Sequence, residues 1–166
     1  MKKKVLYLVA GGGFQWESLT LANQLKADWD CCYVVGEVGL YPGSTLSRLV
    51  EGGRHLAIPE FSSRANSRVS HIARNLWQTL RLVWAEIGND RPDIAVCLGS
   101  SSSLPIALVC RMRSVPFILI ESITRTDTLS STGKLLLRLG MADYFYVQWP
   151  EQEQLHPRAR YKGTVL

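Results

Sequence analysis

Short apolar runs, each cut off by glycine, serine or proline and separated by helix-compatible segments, constrain this chain more than any other feature. They lie at residues 4–10 (KVLYLVA), 30–35 (DCCYVV), 93–98 (DIAVCL), 116–121 (PFILIE) and 144–148 (YFYVQ), with a shorter candidate at 55–58 before Pro59. Runs of this length, apolar at consecutive positions, fit strands buried on both faces. Between them, residues 15–26 place Leu19, Ala22 and Leu25 on one helical face. Residues 70–87 repeat Ile72, Leu76, Leu80, Val83 and Ile87 at spacings of three and four. Pro105 suits the first turn of a helix reaching Met112, and 131–139 reads as another. Segments 37–53 and 60–69 read as loops, and the tail beyond Pro150 shows no clear element until a short apolar end. Strand alternating with helix predicts an α/β fold: a Rossmann-like parallel sheet with helices on both faces and right-handed crossovers. The length, 166 residues, suits one domain spanning 1–166.

Composition narrows the class. Apolar residues make up 46% of the chain, which excludes a disordered one. No apolar run approaches the roughly 20 residues of a membrane span. Met1-Lys2-Lys3-Lys4 resembles the start of a signal peptide, but the apolar run behind it ends in three glycines and fits a first strand better. Cys31, Cys32, Cys97 and Cys110 form no CxxC and have no histidine at metal-ligand spacing, so they read as reduced, mostly core residues. His55, His71 and His156 share no motif. No metal and no cofactor is expected. The net charge is +5, and residues 54–92 carry six arginines, no lysine and three acids. Such a region suits an anionic membrane, a phosphorylated substrate or nucleic acid. The absence of any RNP, KH or helix-turn-helix signature argues against nucleic acid.

Three constellations fall at predicted strand ends, where open α/β sheets bind ligands. Gly11, Gly12 and Gly13 precede a helix and suit a phosphate, although the spacing is not that of a dinucleotide loop. Glu17 follows one helical turn later, as a cleft residue or a plain solvated one. Ser100, Ser101 and Ser102 form a second strand-to-helix turn, read either as a diphosphate cradle or as helix capping. Glu121, Ser122 and Arg125 end the fourth long apolar run ahead of a Ser/Thr-rich turn. They read as a polar site, or as an N-cap at Ser130 or Ser131 beside a Glu121–Arg125 surface pair. Apart from these, Trp77 and Trp84 lie seven residues apart on the 70–87 helix, with Leu80 and Arg81 between and Arg74 beside them. That pattern suits either core packing or contact with anionic lipid.

The run Ile120-Glu121-Ser122…Arg125…Leu129-Ser130-Ser131-Thr132-Gly133-Lys134 is followed by Ala142-Asp143…Val147-Gln148-Trp149-Pro150-Glu151 and Pro157-Arg158-Ala159-Arg160-Tyr161-Lys162-Gly163. This composite resembles the membrane-associated subunit of the split UDP-N-acetylglucosamine transferase of asparagine-linked glycosylation. It is equally similar to the bacterial PssD-type subunits of exopolysaccharide synthesis. The resemblance covers nearly the whole chain. It implies the equivalent of the N-terminal half of a GT-B glycosyltransferase, peripheral on the cytoplasmic face of a membrane. A small partner subunit would supply the UDP-sugar half, and the acceptor would be a polyprenyl-diphosphate-linked saccharide. The family's glycine loop commonly carries a histidine soon after the glycines, where this chain has Phe14; Glu17 matches the pattern.

The expected function is therefore that of an acceptor- and membrane-binding subunit of an inverting glycosyltransferase. Glu17 and Glu121 are the candidate catalytic carboxylates. Gly11, Gly12, Gly13, Ser100, Ser101, Ser102 and Arg125 would bind acceptor or diphosphate, and Trp77, Leu80, Arg81 and Trp84 would contact the membrane. Phe14 motivates an alternative, a non-catalytic recruiter that docks the catalytic partner on the membrane.

Overall fold

The computed structural model describes residues 2–51, 53–59 and 69–165. Seven parallel strands, β1 (Lys3–Val9), β2 (Trp29–Gly36), β3 (Arg54–Ile58), β4 (Ile94–Leu98), β5 (Phe117–Ile120), β6 (Tyr144–Val147) and β7 (Ala159–Tyr161), form one sheet in the order β3-β2-β1-β4-β5-β6-β7. The helices are α1 (Gln15–Asp28), α2 (Thr45–Val50), α3 (Val69–Asn89), α4 (Ser103–Arg113), α5 (Ser131–Leu139) and α6 (Pro150–Leu155). The strand order reverses between β1 and β4, which are paired with Leu6 opposite Ala95. Right-handed crossovers then put α1 and α2 on one face and α3 to α6 on the other.

Each face has its own core. Leu6, Leu8, Ala95, Cys97, Phe117, Leu119, Phe145 and Val147 meet Val83, Ile87, Val109 and Leu136 from the helices beneath. Val5, Tyr7, Val9, Tyr33 and Val35 meet Ala22, Leu46 and Val50 on the opposite side. Strict alternation along each strand sorts neighbours into the two cores, which is why the runs are apolar at every position. On the α1/α2 side no described helix covers β5 to β7. Ile118, Ile120 and Tyr146 are only half-buried there, and Tyr144 is 43% exposed.

The 131–139 helix holds at the residues expected, and the long strands hold to within a residue or two. Three expectations need correction. Residues 37–53 are not all loop: Glu37–Gly39 is a 3-10 turn and α2 follows, capped by Ser44, whose Oγ accepts from the Ser47 N–H at 3.0 Å. The tail holds α6 and β7. On α3, Ile72 and Leu76 do not join the core; they are exposed, on the N-terminal turns of the helix, while Val83 and Ile87 are buried. The loop expected at 60–69 lies, apart from Val69, outside the described residues.

Among the described residues no helix is long and apolar enough to cross a membrane. No cluster of three or more His, Cys, Asp or Glu side chains fit for a metal occurs there either. The four cysteines are unpaired. Burial pushes the Cys97 thiol well above its ordinary value and holds the Cys32 and Cys110 thiols up at about 12.

Candidate functional site

The loops that leave β1, β4 and β5 meet at the carboxyl edge of the sheet, on either side of the reversal in strand order. An open α/β sheet leaves its crevice there. Gly11 and Gly13 are exposed, and a Cβ at either would meet nothing within 4 Å. Neither has a left-handed backbone. Their small size is thus not used inside the chain; it keeps the surface open to a close-approaching ligand. Phe14 closes this loop onto the next one. Its ring lies against Gly99, where a Cβ would come within 3.4 Å of it. Gly99 has φ +53° and Ser100 φ +68°, so the chain turns sharply before α4. Ser102 N–H donates to Ser100 Oγ at 3.3 Å, and Ser103 Oγ donates to the Gly99 carbonyl. Ser101 is left exposed and Ser100 and Ser102 half-buried at the helix start. The Ser102 side chain makes no capping bond.

Behind these loops lies a buried polar cluster. Glu17 is 2% exposed and accepts from Ser122 Oγ at 2.7 Å, Ile123 N–H at 2.9 Å and Gln148 Nε2 at 2.7 Å. Glu121 is also 2% exposed, and accepts from Ser130 N–H and Ser130 Oγ, both at 2.9 Å. Ser130 Oγ in turn accepts from Gly133 N–H at 2.9 Å and caps α5. Trp149 Nε1 donates to the Ile123 carbonyl at 2.7 Å, and Gln152 Nε2 to that of Thr126 at 2.8 Å. Neither carboxylate has an ion-pair partner among the described residues. Neutral donors satisfy both, as burial demands.

The effect is to pin the segment 122–130 at both ends and in its middle. Between the pins Thr124, Arg125, Thr126, Asp127 and Thr128 stand exposed. Arg125 forms no pair with Glu121, which faces inward, so the expected surface pair is not made. The N-cap expected at Ser130 is made. The sequence reading placed Ser122 in a polar site with Glu121, but it did not rank Gln148, Trp149 or Gln152 as parts of it. Their signal was the placement of polar side chains directly after apolar strands.

On the outer helical layer, Trp77 is 64% exposed and Trp84 partly so, with the Arg113 guanidinium 3.7 Å from the Trp84 ring centroid. Arg81 is exposed. Leu80 is instead half-buried against the core.

A seven-stranded parallel sheet reversed at β1/β4, with three loops meeting at its carboxyl edge, has the architecture of one lobe of a GT-B-type fold. Solved structures agree. Acinetobacter baumannii MurG superposes with a TM-score of 0.67 at 18% identity, over 89% of this chain and 42% of its own. A UDP-N-acetylglucosamine 2-epimerase gives 0.71 at 11% identity, over 99% and 49%. Arabidopsis thaliana UGT89C1, complexed with UDP-L-rhamnose, gives 0.63 at 18% identity, over 100% and 53%. At these identities the likeness is one of fold.

The chain belongs to the Alg14-like family of oligosaccharide biosynthesis proteins, whose model matches residues 60–165. The UDP-N-acetylglucosamine transferase subunit ALG14 of Homo sapiens is 32% identical over 100 residues, 55% of this chain and 45% of that protein. The Schizosaccharomyces pombe subunit alg14 is 26% identical over 182 residues, 99% of this chain and 84% of that one. The match thus spans about half the length of the mammalian relatives. It bears out the resemblance to the asparagine-linked glycosylation subunit drawn from the Ile120–Gly163 motifs.

Proposed function

We propose that the chain is the acceptor- and membrane-binding subunit of a two-chain inverting glycosyltransferase. The complex would transfer N-acetylglucosamine or a related sugar from a UDP-sugar to a polyprenyl-diphosphate-linked saccharide on the cytoplasmic face of a membrane. One observation carries this reading: an Alg14-like chain folds as one lobe of a GT-B enzyme, with its open loops at the edge where the other lobe would close the cleft. A partner chain then supplies the nucleotide-sugar lobe. The side of β5–β7 without a helix is an apolar surface available to it, bearing Ile118, Ile120, Tyr144 and Tyr146.

In this reading Gly11, Gly12, Gly13, Ser100, Ser101 and Ser102 lie nearest the acceptor's diphosphate. Backbone N–H groups and hydroxyls there offset charge on the ligand. Arg125, exposed on a pinned segment, orients the saccharide or the diphosphate. Trp77, Trp84 and Arg81 meet the lipid surface, with Leu80 supporting them from behind. Glu17 and Glu121 act as positioning residues. Their burial and their saturated hydrogen bonds favour a role in holding 122–130 over one in taking a proton from the acceptor. With Phe14 at the position where the family commonly has histidine, these features also favour the second reading, in which this chain recruits and the partner contributes the base.

The test is reconstitution with the donor-binding chain. Arg125→Ala should raise the KM for the lipid-linked acceptor about tenfold or more and leave that for the UDP-sugar unchanged. An unchanged acceptor KM removes Arg125 from the site. If a combined Ser101→Ala/Arg125→Ala variant also keeps full kcat/KM, the recruiter reading replaces the acceptor-binding one.

A further inference from the structure

A cavity of about 430 Å³ opens between α5, the end of the loop that leaves β5, and the turn from α6 into β7. Leu129, Leu137 and Pro157 give it an apolar lining, which Lys134, Arg138, His156 and Arg158 complete. No carboxylate lines it. Lys134, Arg138 and Arg158 are exposed, and none of them is ion-paired among the described residues. Three uncompensated cations beside an apolar lining match a ligand that joins a phosphate to a hydrocarbon body. A soluble phosphate would use the cations and leave the lining wet. A neutral apolar ligand would use the lining and leave the cations idle.

Position selects among such ligands. Lys134 and Arg138 lie on the flank of α5 that faces the cavity. The other flank carries Leu135 and Leu139, the latter 58% exposed. Next to it α4 exposes Leu108 and Met112, Met112 at 62%, and beyond that α3 exposes Trp77 and Trp84. An apolar band therefore crosses three neighbouring helices, bordered by Arg74, Arg81, Arg111 and Arg113. Isolated exposed apolar residues need no explanation, but a band over three helices with a cationic border does. The cavity sits at the end of that band, on the same face of the molecule.

We propose that this cavity binds one anionic phospholipid, with its phosphate among Lys134, Arg138 and Arg158 and the first carbons of its chains on Leu129, Leu137 and Pro157. Leu129 ties the cavity to the 122–130 segment, but neither Arg125 nor the glycine and serine loops line it. The proposal rests on the reading above that the α3–α5 face meets a membrane, and it adds a stoichiometric headgroup contact to a diffuse apolar one.

Calorimetry on the full chain with dihexanoyl phosphatidylglycerol, kept below its micelle concentration, tests the site without a bilayer. Saturable one-to-one binding is expected, weakened at least tenfold by Arg138→Gln/Arg158→Gln and unchanged by the charge-matched control Lys26→Gln/Arg48→Gln on the opposite face. Both pairs are exposed, and unchanged near-ultraviolet circular dichroism verifies folding. Sodium phosphate and glycerol 3-phosphate should not compete at equal concentration. Equal affinity of the wild type and the cavity variant overturns the proposal. Competition by free phosphate as strong as the lipid's reduces it to a phosphate site and overturns the lipid assignment. Competition by an acidic segment of the partner chain would give the cavity to the interface instead. Flotation with phosphatidylcholine vesicles tests the underlying reading separately. Trp77→Ser/Met112→Ser/Leu139→Ser should stay in the soluble fraction while still binding the short-chain lipid. If that variant floats like the wild type, the membrane face fails and the cavity stands on its own titration.

Discussion

Glu17 holds three segments together with one carboxylate: α1 through its own backbone, the segment after β5 through Ser122 and Ile123, and the end of β6 through Gln148. Glu17→Ala would take this acceptor from two buried donors, Ser122 Oγ and Gln148 Nε2, and from the half-buried Ile123 N–H, each loss costing about 1–3 kcal/mol when no water replaces it. A loss of about 2–4 kcal/mol in urea unfolding is expected, allowing for relaxation of Ser122 toward Thr124, whose Oγ1 lies 3.0 Å away. Glu17→Gln keeps one acceptor oxygen and should recover about half. With the partner present, a positioning role predicts that Glu17→Gln retains activity with an unshifted pH profile of kcat. Loss of the acidic limb of that profile, where a carboxylate base would take up its proton, would make Glu17 the base after all. None of these bonds was legible in the sequence, because their partners lie more than a hundred residues apart. Only the motif match at Glu17 and the strand-end position of Glu121 marked the two carboxylates.

Among the elements, α5 shows how a local rule reverses. Glycine inside a helix ordinarily costs about 1 kcal/mol against alanine. Gly133, however, sits under the Glu121 carboxylate, and a Cβ there would collide with it and press on Ser130 Oγ and the Phe145 ring. Gly133→Ala is therefore expected to destabilise by about 1–3 kcal/mol, the usual cost of overpacking. A rise in the urea midpoint would mean that the capping cluster yields, and that Glu121 is not held as described. The boundaries of α5 were legible, since Ser130 caps it and Gly140 ends it in a left-handed conformation at φ +60°. Neither α2 nor α6 was. Each has six residues, too few for a periodic stripe, and α2 buries only Leu46 and Val50 between glycine- and proline-rich flanks. On α3 the period was right and its meaning was not. Ile72 and Leu76 keep core spacing on the outer turns, and spacing alone does not record where the buried surface ends.

At the scale of the molecule, the described helices cover the whole sheet on one face and only β1 to β3 on the other. Parallel strands are normally covered on both sides, and here the apolar alternation of β5 and β6 continues onto a side with no described helix. Tyr144 and Tyr146 stack there with centroids 6.4 Å apart and planes within 10°, and the Arg160 guanidinium stands 5.7 Å from the Tyr144 ring centroid. Alternation predicted the two-faced burial of β1 and β4 correctly. It could not say that no described helix lies over β5–β7 on that side, because the strands carry the same pattern either way. If the partner chain supplies that cover, aromatic rings with a neighbouring arginine suit the buried centre of an interface. Tyr144→Glu/Arg160→Glu should weaken the two-chain complex at least tenfold, about 1.4 kcal/mol, measured by sedimentation of the mixed subunits. Tyr144 and Arg160 are both exposed, so the isolated chain should keep its unfolding midpoint. Sugar transfer should then fall only at subunit concentrations below the new Kd and recover when the partner is raised. Loss of transfer that excess partner does not restore would place these residues in the reaction itself, and an unchanged Kd would move the interface elsewhere.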